Sequence, residues 1–436
     1  MIRVLIKRGI SNIPLSYCLT NTNEMVLRFL TCLIILVFLV QCSENSIPQK
    51  LESIRILDEI PQHIQEVENL TIFPGDSKPQ YSIDLIPKQT YGETDEPYVT
   101  KVNRCIVDDK GRVIIWDSNL DSREFPFINR LYVFDNDGTY HTQIGGPGKG
   151  PGEYGMIIDV QTKAGKVFVT DFTSMRLNVY TTSDYSIEQS TLIERWEVRD
   201  YKAVRGMEFG AIKARDDGNF IVSFYEPSSD NNMVTYLLMD AKGNALSFDP
   251  LQFPSSPSIR VPNKPLRPSM SLSFMGFTII DVSGKDELYS VWTRDFLIKK
   301  YDTQGVYQSA IYYPIQGPPF DLNAYAKTDP LSYNPRVVER AFDDMDEELP
   351  ETNPVIAGMM VDDENRIWVV VPTDGRHETY EWWILKASGE LLAKLLLPRD
   401  QPIYDIKNDY LYSKKMNEET GTEYVVKYRI EWTEKE

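Results

Sequence analysis

Histidine and cysteine are scarce in this sequence, three and four residues among 436. His63, His141 and His377 have no partner at the spacing of metal ligands, and no Gly-x-Ser-x-Gly elbow occurs. A His-based hydrolase and a cysteine metal cluster are therefore not expected. Positive charge is also short: 46 Lys and Arg stand against 64 Asp and Glu, a formal charge of −18. Phosphate contacts rest on Lys and Arg, so this balance argues against nucleic acid and against a polybasic membrane contact. No apolar run reaches the roughly 20 residues that span a bilayer. The longest goes from Phe29 to Val40 and stops at Gln41-Cys42-Ser43-Glu44.

Counted from Met25, that segment carries one charge, Arg28, and has the size of a signal-peptide apolar region. A cysteine at its end followed by polar residues resembles the lipobox of bacterial lipoproteins. Leu39 and Val40 suit that pattern, while Gln41 departs from the small residue usual there. The resemblance implies that Cys42 is diacylated and becomes the new N-terminus. Residues 1–41 are then a leader with Met25 as its working start. The chain is expected to be exported and anchored to a membrane of the bacterial cell envelope through Cys42. Without Arg3, Lys7, Arg8, Arg28 and Glu24 the remainder carries about −21. Cys18 and Cys32 go with the leader and Cys105 alone remains, so there is no disulfide framework. Cys105 reads as a small buried side chain. Residues 42–79 are polar and read as a tether, with a weak amphipathic helix over 51–67 broken at Pro61.

What is abundant is a repeated unit. A polar turn followed by an apolar strand recurs six times, as in Gly111-Arg-Val-Ile-Ile-Trp116, Gly165-Lys-Val-Phe-Val-Thr170 and Asn365-Arg-Ile-Trp-Val-Val370. Turn formers before β-branched and aromatic runs are what a hairpin requires. Each copy has an apolar strand before it and a third strand after it, and the first five have a fourth, placed at 245–249 in the third unit. The sixth unit lacks its fourth strand, and one strand, 81–86, is left over near the start. The count closes if this strand completes the last unit, which also removes open sheet edges. The expected fold is all-β: a six-bladed β-propeller of four-stranded antiparallel blades over residues 80–434, closed by an N-terminal strand.

Ile144-Gly-Gly-Pro-Gly-Lys-Gly-Pro-Gly-Glu-Tyr154, then Asp159 and Arg176-Leu-Asn-Val-Tyr180, resemble an NHL-type repeat. With the C-terminal Tyr424-Val-Val-Lys-Tyr-Arg-Ile-Glu431, the chain resembles the six-bladed propeller lipoproteins of Bacteroidetes-like bacteria. These motifs mark architecture rather than activity, and units four to six lack the Gly-rich loop. In that loop no Ser or Thr follows Lys149, so it reads as a blade connector and not as a phosphate cradle.

Carboxylate pairs at 108–109, 216–217 and 362–363 fall in turns between first and second strands, where Asp closes turns on nearby amides. No Asp-x-Asp-x-Asp loop supports Ca²⁺, so no cofactor is expected, Ca²⁺ being the metal to test. The longest insertions, 254–273 and 316–353, fall on one face of a propeller, and the second contains an expected helix, Pro335–Met345. Phe274, Met275, Tyr325, Tyr333 and Phe342 on these inserts are candidates to cover the channel mouth. Strand ends and loops on that face present Asp117, Arg176, Trp292, Arg294 and Arg376, a set suited to a polar or aromatic-stacking ligand. The expected role is a non-enzymatic binding module for an unknown small ligand or envelope protein. The alternative is a metal-dependent enzyme of lactonase or lyase kind, with Asp159 and Asp281 near the central channel.

Overall fold

A computed structural model describes residues 55–93, 96–118, 129–193, 201–226, 232–246, 249–260, 269–328, 335–345, 348–373 and 379–435. Cys42, Arg376, His377 and Tyr333, and with them the proposed leader, lie outside the described residues.

Among the described residues, six antiparallel sheets each carry a four-strand meander. Their first strands are Val102–Val107, Ile157–Lys163, Glu208–Ala214, Thr278–Val282, Gly358–Val361 and Ile403–Lys407. The turns that follow are closed by the aspartates read from the sequence. Asp108 Oδ1 accepts the amides of Lys110 and Arg112, and Asp362 Oδ1 those of Glu364 and Arg366. The last sheet runs Ile403–Lys407, Tyr410–Met416, Glu423–Glu434 and then Tyr81–Tyr91. The chain is a six-bladed β-propeller. Its closing strand is longer than the expected 81–86. It continues past a bulge at Pro87, whose missing N–H is tolerated on an edge. The fourth strand of blade three is Leu251–Pro254 rather than 245–249, where the described residues make a single bridge, Met239 to Ala245.

Alternation along the strands gives every blade two apolar faces, so a buried cluster fills each blade interface. Cys105 is part of the one between blades six and one. Among the described residues the cluster between blades three and four has seven buried members, against eleven or more at each other interface. That interface is where an opening forms.

The described part of the stretch read as a tether docks on blade four. Arg55–Ile56 pairs with Ile315–Gln316, Gln62–Gln65 makes one helical turn, and Leu70–Ile72 adds a parallel fifth strand beside Tyr307–Tyr312. Ile64 is fully buried against Leu297, Ala310 and Tyr312. The inserts on either side of blade four share a second small core. Phe274, Leu322, Val338 and Phe342 pack together there, with Tyr325 beside them. The helix Pro335–Met345 lies where the sequence placed it.

Candidate functional site

Two concavities stand out among the described residues. The first is the central channel, of about 530 Å³, opening toward the turns between first and second strands. Several of its charged groups hold blades to one another. On alternate blades the first strand sends an acceptor to the last amide of the next blade's first strand. Asp405 Oδ2 takes Val107 N at 2.7 Å, Gln161 Oε1 takes Ala214 N at 3.0 Å, and Asp281 Oδ2 takes Val361 N at 2.8 Å. Arg104 meets Asp159 at 2.8 Å and Lys213 meets Asp281 at 3.3 Å. Burial pushes the Asp405 carboxyl up, opposed by the Val107 amide, Lys407 and Arg104. Asp281 therefore lines the channel, Asp159 holds the lining residue Arg104, and both carboxylates act as inter-blade ties. Among the described residues no group of three or more His, Cys, Asp or Glu is placed to hold a metal ion.

The second concavity, of about 660 Å³, opens on the loop-rich face between blades three and four. Thr278, Trp292 and Leu297 stand in register across three neighbouring strands, and Ser290 and Lys299 are paired one step further along. Period-two alternation puts all five on the same side of the sheet. Phe253 and Pro254 of blade three face them, and Leu57, Pro61, His63 and Val67 of the docked N-terminal segment form the third wall. The indole of Trp292 and the stem of Arg294 cross Gly276. A Cβ there would lie 2.8 Å from Trp292 Cζ2 and 2.5 Å from Arg294 Cγ, and φ is +104°. Only glycine meets both conditions without strain. Arg294 donates to Phe274 O and Thr352 O, fastening both inserts. Burial pulls its guanidinium below the ordinary range, opposed by Asp295. His63 and Asp295 meet at 3.0 Å on the rim.

Of the residues singled out from the sequence, Trp292 and Arg294 line this cleft. Asp117 is buried elsewhere, with Oδ1 accepting Thr100 N, Lys101 N and the Thr100 hydroxyl. Asp171 repeats the arrangement in blade two by accepting Gly155 N and Met156 N. In these two blades the position closes the blade onto its incoming strand. Arg176 donates to Ser190 Oγ at 2.9 Å and is only partly exposed. Phe274 and Phe342 pack in the insert core. The cleft residues not picked out include Lys299 and Thr278. The available signal was a lysine at an inward step between Leu297 and Tyr301, both of which are buried.

In the Gly-rich loop, Glu153 Oε2 accepts the Gly150 amide at 2.8 Å, so the chain's own carboxylate occupies it.

A family model described as a 6-bladed beta-propeller matches residues 92–201, which span blades one and two. No curated protein matches the chain. Among solved structures, a Bacteroides fragilis protein described as a candidate exported protein is 13% identical. The alignment covers 83% of this chain and 99% of that one, with a TM-score of 0.48. A member of the duf4221 family from Bacteroides vulgatus is 10% identical over 82% and 100% of the two chains, with a TM-score of 0.48. A virginiamycin B lyase from Staphylococcus aureus is 13% identical over 80% and 88%, with a TM-score of 0.33. None of these likenesses assigns a chemistry to this chain.

Proposed function

We propose that this protein is exported, anchored in the cell envelope through Cys42, and binds a ligand on the loop-rich face without transforming it. The observation that carries the binding role is the cleft between blades three and four. Its size lies in the range of small-molecule sites, and it joins apolar walls to a few polar groups. The channel is the weaker candidate, because its carboxylates and ammonium groups already serve as inter-blade ties. The leader reading rests on the apolar run ending at Cys42.

The test is a thermal-unfolding screen of the full chain in detergent against divalent cations, sugars, peptides and organic acids. A ligand that binds only the folded state adds about 2.7 kcal/mol of stability at a hundredfold excess over Kd. A shift with an organic ligand, lost on Trp292→Leu, is expected. A shift with Ca²⁺ or Zn²⁺ together with turnover of lactones would replace this reading by the enzymatic one. In the same preparation Cys42→Ser is expected to move the chain out of the membrane fraction. An unchanged distribution would remove the anchor.

A further inference from the structure

We infer that the cleft takes an amphipathic monoanion, a carboxylate whose charge meets Lys299 and whose apolar body lies along Trp292 and Leu297. This rests on the binding role assigned to the cleft above and adds the class of ligand.

Lys299 occupies a core-facing step of its strand, between the buried Leu297 and Tyr301. Its neighbour Lys300 points to the other face, where Glu287 holds it at 2.9 Å. Lys299 lines the cleft and makes no ion pair or hydrogen bond with the described residues. A half-buried ammonium loses hydration and regains it only through a counter-ion or acceptor. The carboxylate in the cleft, Asp295, meets His63 at the rim. Arg294 brings a second positive charge, and the atoms it donates to are neutral, two carbonyls and the Thr352 hydroxyl. A chain with a formal charge of −18 thus carries a cleft in which Lys299 and Arg294 outnumber Asp295.

Among the described residues Thr278 Oγ1 is shielded from solvent and has no hydrogen-bond partner. It sits in register with Trp292 on the same wall. An orphaned hydroxyl and an ammonium without a partner among the described residues, both on one wall of the cleft, are the polar half of a site. The other half is apolar: Leu57, Pro61, Val67, Phe253 and Leu297 line the cleft with Trp292. One free ammonium, with no fork of arginines, suits a single negative charge better than a phosphate dianion, which draws bidentate partners.

The experiment uses two pairs of probes matched in shape: 3-phenylpropionate with 3-phenylpropanol, and decanoate with decanol. Binding to the full chain is read by calorimetry at neutral pH. Each acid is expected to bind about tenfold or more tighter than its alcohol, the gain of a charge-assisted hydrogen bond in a sheltered site. Lys299→Met is expected to erase that preference while leaving the affinity for the alcohol within about twofold, and Lys299→Arg to retain it. Trp292→Leu should weaken acid and alcohol alike, which places both in the cleft. Equal binding of acid and alcohol, unmoved by Lys299→Met, overturns the anionic class and leaves the binding role intact. Binding of neither member overturns the class as well, and the role then rests on the wider ligand screen. Since Lys299→Met removes an uncompensated charge, its melting temperature should not fall. A fall together with lost acid binding would assign Lys299 to the fold and overturn the inference.

Discussion

Asp405 shows how a single side chain in the channel serves the ring. Its Oδ2 reaches across to the Val107 amide of blade one at 2.7 Å, and its Oδ1 accepts the Ile406 amide. Burial raises its pKa above the ordinary carboxylate value despite those hydrogen bonds. A group whose folded pKa is raised contributes fully below its unfolded value, near 4, and loses that contribution as pH rises through the folded value. At neutral pH the ionised form is therefore a burden that the Val107 amide only partly offsets. Asp405→Asn keeps an oxygen for that amide and cannot ionise. We expect it to be neutral or stabilising at pH 7 by up to about 1 kcal/mol, with a flatter stability profile above pH 4. Urea unfolding at several pH values checks this. A loss of more than about 1 kcal/mol at pH 7 would mean that attraction to Arg104 and Lys407 outweighs desolvation. At this scale the sequence was only partly readable. The turn aspartates and the inward reach of Asp281 follow from local spacing. Lys299 and Thr278 gain meaning only once the opposite wall of the cleft is known, and that wall comes from blade three and from residues 57–67.

Among the elements, the N-terminal segment diverges most from its reading as a spacer. Its strands, Arg55–Ile56 and Leu70–Ile72, and its one-turn helix, Gln62–Gln65, are too short to show any periodicity. Their place is fixed by what blade four leaves open: an outer edge at Tyr307–Tyr312 and a socket lined by Leu297, Ala310 and Tyr312. The helix Pro335–Met345 was readable because proline marks its start and its apolar residues recur at helical spacing. Ile64 is the plug of the socket. Ile64→Ala is expected to weaken docking of the segment by about 2–4 kcal/mol, enough to free it while the ring stays folded. Limited proteolysis should then cut within 55–79 much faster than in the parent chain, and the cleft should lose its third wall. Unchanged protection would mean that the strand pairings alone hold the segment in place.

For the whole molecule the deciding contact is the pairing of Tyr81–Tyr91 with Glu423–Glu434, which joins segments more than three hundred residues apart. It was foreseeable because five complete units, one incomplete unit and one spare strand have a single closed arrangement. The sequence could not show how far the pairing extends, since Gln89, Thr90 and Tyr91 follow a bulge that breaks the alternation. That extension matters, because Tyr91 is fully buried in the cluster between blades six and one, beside Cys105, Val425 and Tyr412. The closing strand thus completes one blade and seals the interface to the next. Removing residues 1–79 should leave a ring that melts cooperatively, short of the stability that the docked segment adds. Removing residues 1–91 should expose the edge of Glu423–Glu434 and strip Tyr91 from the seam. An open edge of that length pairs with other chains, so the shorter form is expected to aggregate and lose its sharp transition. A peptide of residues 80–92 supplied in trans should recover part of it. If the chain without residues 1–91 stayed monomeric and melted as sharply as the chain without residues 1–79, the ring would be held by its blade interfaces alone. The closing strand would then serve only to cover an edge.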